Sequence, residues 1–136
     1  MGTPGAIGRV TADGRWEAVR VEKDGYPDGL GATLVQAVAD HGLPAVLEQA
    51  FSTRGWSCWP LDPHHPEDPE DHWLTPENIW EDCWFYLFDE AAGTLEVRAT
   101  LDTSVAPSWR VRLETLTGDE LGPAESMPLP TVRSCF

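Results

Sequence analysis

The sequence predicts an α+β domain: an antiparallel sheet of about five strands packed on two helices, with a long irregular acidic loop. Three observations carry this expectation. Runs in which apolar and polar residues alternate fit the two-residue period of strands, as in Thr94 to Thr100 and Trp109 to Thr115. Leu34, Val35 and Val38 recur at helical spacing within Ala32 to Asp40. Cys83 to Phe88 is apolar on both faces, which suits a strand in the middle of a sheet.

Taken in order, Ala6 to Val10 is the first strand candidate. Thr11-Ala12-Asp13-Gly14 turns the chain, since Asp-Gly tolerates the positive φ of a tight hairpin. Trp16 to Glu22 returns, with Arg15, Glu17 and Arg20 marking a face that meets water. The loop Asp24-Gly25-Tyr26-Pro27-Asp28-Gly29-Leu30-Gly31 follows. Gly25 and Gly29 are free to take positive φ, and Pro27 drives Tyr26 into extended backbone. The helix from Ala32 ends at His41-Gly42, where glycine suits a C-terminal cap. Pro44 starts a second helix to Phe51, with Ala45, Val46 and Phe51 as its apolar contacts.

Residues 52–74 are dense in prolines and turn formers and read as one irregular segment. Thr75-Pro76-Glu77 has the cap, the proline and the acid of a helix start, so a short helix to Asp82 is expected. After the central strand, Asp89 to Gly93 turns the chain into the strand from Thr94, with Leu95, Val97 and Ala99 inward and Glu96 and Arg98 outward. Trp109, Val111 and Leu113 then face the core, opposite Arg110, Arg112 and Glu114. Residues 1–117 form the domain on this reading, and 118–136 a loosely held tail.

The 136 residues carry a formal net charge of -14, and Lys23 is the sole lysine beside eight arginines. Phosphate contacts need Lys and Arg, so direct nucleic-acid binding is not expected. A basic protein partner is, and so is imitation of a nucleic-acid surface; solubility alone is the plainer account. No apolar run reaches membrane-spanning length, and Met1 to Ala6 lacks the charged-then-apolar pattern of a signal peptide. Three cysteines without a Cys-x-x-Cys spacing point to free thiols in a reducing cytoplasm.

Four constellations could carry chemistry. The glycine loop precedes a helix N-terminus, where backbone amides favour an anion, yet neither a P-loop lysine nor a dinucleotide glycine spacing is present. It is either a tight crossover with Tyr26 packed on the sheet, or a ligand site of Asp24, Tyr26, Asp28 and Gly29. The second constellation is His64, His65, His72, Asp62, Asp71 and Cys58, which offer metal-ligand types at no recognised spacing, so no metal or cofactor is expected. The third runs from Gly55 to Val97, a stretch without Lys or Arg that interleaves acids with tryptophans. Trp59, Asp68, Glu70, Asp71 and Trp73 would make a docking face there, the acids steering and the rings anchoring. Finally, Cys58 near His64 and His65, or Glu81 with Asp82, could be catalytic, though neither pairing has a distinguishing spacing.

The opening Met1-Gly2-Thr3-Pro4-Gly5-Ala6-Ile7-Gly8 and the run Asp24 to Leu34 resemble a family of small uncharacterised proteins of actinobacteria and their phages. These begin Met-Gly-Thr-Arg and carry a Trp-Asp-Gly-Tyr-Pro-x-Gly-x-Gly loop. Trp84-Phe85-Tyr86-Leu87-Phe88-Asp89, followed by Gly93 to Val97, is similar to their final hairpin. Pro4 and Lys23 stand here where the family has Arg and Trp. The resemblance implies a shared fold and a phage or mobile-element setting, with no activity attached. The expected function is a cytoplasmic binding protein engaging a basic partner through the acidic Trp-rich face. The alternatives are a small enzyme, such as a hydrolase, or ligand-binding domain with its pocket at the Asp24–Gly31 loop and the acid/His loop, and a nucleic-acid-mimic inhibitor.

Overall fold

A computed structural model describes residues 3–53, 55–63, 73–79 and 82–113. Its strands are β1 (Gly5–Val10), β2 (Trp16–Val21), β3 (Gly55–Cys58), β4 (Asp62–Pro63), β5 (Trp73–Leu74), β6 (Trp84–Asp89), β7 (Thr94–Arg98) and β8 (Trp109–Arg112). The helices are α1 (Ala32–His41) and α2 (Leu43–Ala50), and a π-helical turn (Pro27–Gly31) runs directly into α1. All eight strands form one sheet in the order β4-β3-β2-β1-β6-β7-β8, with β5 also on β2.

The architecture is α+β with two helices, but the sheet is mixed and has eight strands where an antiparallel sheet of about five was expected. Two pairings are parallel: β1 with β6 and β2 with β3. The additional strands come from residues 52–74, expected to be irregular throughout. Gly55–Cys58 and Trp73–Leu74 lie end to end along one edge of β2, at Arg20–Val21 and Ala18–Val19 respectively. The expected helix at Thr75 is also absent among the described residues. Asn78 N–H bonds the Thr75 carbonyl at 2.9 Å, closing a turn in its place.

β6 holds the central place that its two apolar faces imply, between β1 and β7. The register sorts side chains into two layers. One row runs Val19, Ile7, Tyr86, Val97 and Trp109 across five strands. Above it lie Leu30, Leu34, Val35 and Val38 and, from α2, Leu43, Val46, Leu47 and Ala50. Ala45, expected to help pack α2, is exposed because it falls on the opposite side of the helix.

The other face of the sheet carries a second core of Ala6, Trp16, Ala18, Leu74, Cys83, Phe85, Leu87 and Leu101. Loops rather than helices supply its cover, so both faces of the central strands are buried. The Phe85 ring lies over Gly8, where an added Cβ would meet it at 2.4 Å, and tilts against Trp16 at 4.8 Å between ring centres.

This second layer explains a reversed expectation. Arg98 was expected in water but is 7% exposed. Its guanidinium donates to the Glu96 carboxylate at 2.6 Å and to the Val105 carbonyl at 2.6 Å. The loop after β7 therefore closes over it, and a charge so covered persists because it is paired and hydrogen-bonded. Ala99, expected inward, is exposed beyond the end of β7. Arg110 also binds Glu96 across the strands, at 2.6 Å, as expected for facing residues.

No described helix is long and apolar enough to cross a membrane. The expected tail, 118–136, lies outside the described residues.

Candidate functional site

The Asp24–Gly31 loop is held to the sheet by its backbone. Gly25 N–H donates to the Thr3 carbonyl at 2.6 Å, and the buried Tyr86 hydroxyl donates to the Gly25 carbonyl at 2.6 Å. The main chains of Gly5 and Gly25 touch. A Cβ on Gly25 would fall 2.3 Å from the Pro4 carbonyl carbon, and one on Gly5 would fall 2.9 Å from the Gly25 Cα. Close approach, rather than the expected positive φ, is thus what requires glycine at position 25. The left-handed conformation falls on Asp24 instead, at φ 60°, which aspartate tolerates through its short polar side chain.

Beyond this anchor the chain winds up at once. Leu30 N–H reaches back to the Asp24 carbonyl at 2.6 Å, and Ala32 N–H bonds the Pro27 carbonyl in π-helical fashion. The expected tight loop is therefore helical over its second half. Tyr26 is extended, as the following proline dictates, with ψ at 162°. Its ring lies on Gly29, where an added Cβ would come within 3.2 Å. Its hydroxyl donates to Asp24 Oδ1 at a long 3.4 Å.

A second segment comes alongside because the chain goes on bonding to β3 past the end of β2. Glu22 N–H bonds the Trp56 carbonyl at 2.9 Å and Lys23 N–H bonds the Ser57 carbonyl at 3.0 Å. Ser57 Oγ donates to Glu22 Oε2 at 3.2 Å, and Trp56 Nε1 donates to the Ala50 carbonyl of α2 at 2.9 Å. This brings the turn at Cys58–Leu61, closed by Leu61 N–H on the Cys58 carbonyl at 2.9 Å, opposite the start of α1.

Between the two segments lies an open cleft of about 280 Å³. Lys23, Asp24, Gly29, Leu30 and Thr33 line it from one segment, and Cys58, Trp59, Pro60 and Leu61 from the other. The lining is mostly apolar. Leu61 is 83% exposed at the edge of this concave surface. The Thr33 hydroxyl donates to the Gly29 carbonyl at 3.0 Å and so still accepts. Trp59 is only 4% exposed, and its Nε1 is buried with no acceptor among the described residues.

The expected site residues are thus divided. Of the ligand set, Asp24 and Gly29 line the cleft, while Tyr26 and Asp28 do not. Of the partner set, Trp59 forms the cleft wall with little surface to offer outward. Trp73 is half-buried, edge-on to Phe51 at 5.4 Å, and Phe51 in turn carries the Arg9 guanidinium 4.0 Å above its ring. Asp68, Glu70 and Asp71 lie outside the described residues, as do His64, His65, His72 and Glu81. Among the described residues no group of three or more His, Cys, Asp or Glu is placed to hold a metal.

Asp82, read as half of an acid pair, caps a loop: it accepts from Thr100 Oγ1 and from Leu101 N–H, both at 2.9 Å. Sequence reasoning missed Leu61, Thr33 and Pro60 as cleft residues. The only signal for Leu61 was an isolated leucine among prolines and acids. No protein-family model matches the chain, and neither a curated protein nor a solved structure matches it.

Proposed function

We propose that this chain is a binding domain whose recognition site is the cleft between the start of α1 and the Cys58–Leu61 turn. The observation that carries the reading is a strongly exposed Leu61 on the rim of an apolar concavity. A leucine in water at the edge of a concave, mostly apolar surface extends the apolar area that a partner could cover. The walls are separately fixed, one by Tyr86 and Thr3, the other by the β2–β3 extension. Preorganisation of this kind lowers the ordering cost of binding. The volume lies just below the usual range for sites that engulf a metabolite, which favours a single inserted group.

The test is an amide and indole NMR titration of the whole chain with a panel of N-acetyl amino-acid N-methylamides, each presenting one side chain. Shifts are expected to cluster at Gly29, Thr33, Cys58 and the Trp59 indole. Leu61→Asp should abolish them while changing stability by less than about 0.5 kcal/mol, because the side chain is in water. Shifts absent from the cleft across the whole panel, or scattered over other surfaces, would remove the proposal.

A further inference from the structure

We infer that the cleft is a socket for a long basic side chain, Arg or Lys, presented by a protein partner. The inference rests on the binding-domain reading and specifies its occupant. Two properties of the cleft select that chemistry together. Leu30, Trp59, Pro60 and Leu61 line it with apolar groups, against which methylenes can pack, and Asp24, itself exposed, lines it with a carboxylate. Arg and Lys combine these demands, since their stems pack on apolar surface while the charged head stays at a polar rim.

The surroundings fit a basic partner. The chain carries -14 overall, and no Lys or Arg occurs between Gly55 and Val97, the stretch that supplies one wall. Asp62, exposed, directly follows Leu61. Charge of one sign around a concave site raises encounter rates with the opposite sign. The five arginines in identified ion pairs, Arg9, Arg15, Arg20, Arg98 and Arg110, have glutamates as their partners. None of these pairs involves Asp24, whose carboxylate accepts from the Tyr26 hydroxyl at 3.4 Å, a long contact that leaves it available to a stronger donor.

Lys23 is the opposing feature, the only basic side chain among the described residues lining the cleft. It is exposed, and its long stem can carry the ammonium into solvent. It also makes the inference decidable. A socket for a cation binds better without Lys23, whereas a socket for an anion binds worse.

The experiment extends the NMR titration to N-acetyl-arginine, N-acetyl-lysine, N-acetyl-norleucine and N-acetyl-glutamate N-methylamides, and to free arginine. The capped Arg and Lys probes are expected to bind more tightly than norleucine, and glutamate not at all. Asp24→Asn should weaken the Arg probe about threefold to tenfold, the range of a charge-assisted contact at a partly exposed rim. Lys23→Gln should strengthen it by about twofold, and higher salt should weaken it. Shifts in the cleft with no preference for Arg or Lys over norleucine would overturn the basic-side-chain assignment while leaving a binding cleft standing. Preference for glutamate, or weaker binding in Lys23→Gln, would make it an anion site. Tighter binding of free arginine than of its capped form would reassign it to a metabolite. Any of these three refutes the inference, and Asp24→Asn is read together with its melting curve so that misfolding is recognised.

Discussion

Tyr86→Phe isolates the link between the centre of the sheet and the cleft. The Tyr86 side chain is fully buried in the row that runs beneath the helices, and its hydroxyl donates to the Gly25 carbonyl at 2.6 Å. Phenylalanine keeps the ring, which packs within van der Waals reach of Gly31, and deletes only the donor. The Gly25 carbonyl is left in an apolar setting without that partner, which costs about 1–3 kcal/mol. For a domain of this length that is a fall in Tm of roughly 3–15 °C. Urea denaturation should show a lower midpoint with an unchanged slope, because the native and unfolded surfaces stay the same. The cleft should respond as well, since Gly25 sits directly after Asp24: amide shifts are expected at Gly29, Leu30 and Thr33, and few on β8. A variant within about 0.5 kcal/mol of the wild type, with the Asp24–Gly31 amides unmoved, would refute the view that this hydroxyl anchors the loop.

Gly25→Ala tests the other half of the anchor. Its Cβ would meet main-chain atoms of Pro4 and Gly5 that have no side-chain freedom to move aside. A loss of about 3 kcal/mol or more is expected, read as a fall in Tm or in soluble yield. Glu96→Gln addresses pH. Burial raises the Glu96 carboxyl, but hydrogen bonds from Arg110 and Arg98 outweigh it and hold the pKa below the ordinary 4.5. Its stabilising contribution is then complete above pH 4.5 and disappears as pH falls through the lowered folded value. The gap between wild type and Glu96→Gln in urea midpoint should be widest near neutrality and should close in acid. Trp56→Phe removes the indole donor to the Ala50 carbonyl and some ring volume, so about 1–3 kcal/mol should be lost by thermal melt.

How far the sequence could be read differs from element to element. Cys83 to Phe88 announced a central strand because six apolar residues in a row leave no wet face. Gly42 ended α1 where expected, with φ at 87° and its N–H on the Val38 carbonyl. Residues 73–77 misled: Thr75-Pro76-Glu77 has helix-start chemistry, yet Leu74 immediately before it is spent on β2 and on the second core. Local capping preference is worth about 1 kcal/mol, less than full burial of a leucine. Arg98 misled in the same way, since alternation tells which face a residue takes and not whether a loop will later cover that face.

Sequence alone determined the α+β class of the fold, the turns at Thr11–Gly14 and Asp89–Gly93, and the ends of α1. All of these are local: they depend on backbone preferences and on periodicities within a few residues. Tertiary structure alone decided the parallel pairings, the second core, the burial of Trp59 and the cleft itself. Ala6 meets Phe85, and Lys23 meets Ser57, across long stretches of chain. A residue's own neighbours encode which way its side chain points. Which distant strand it lies against is set by the collective burial of apolar surface, and that is resolved only when the whole sheet assembles.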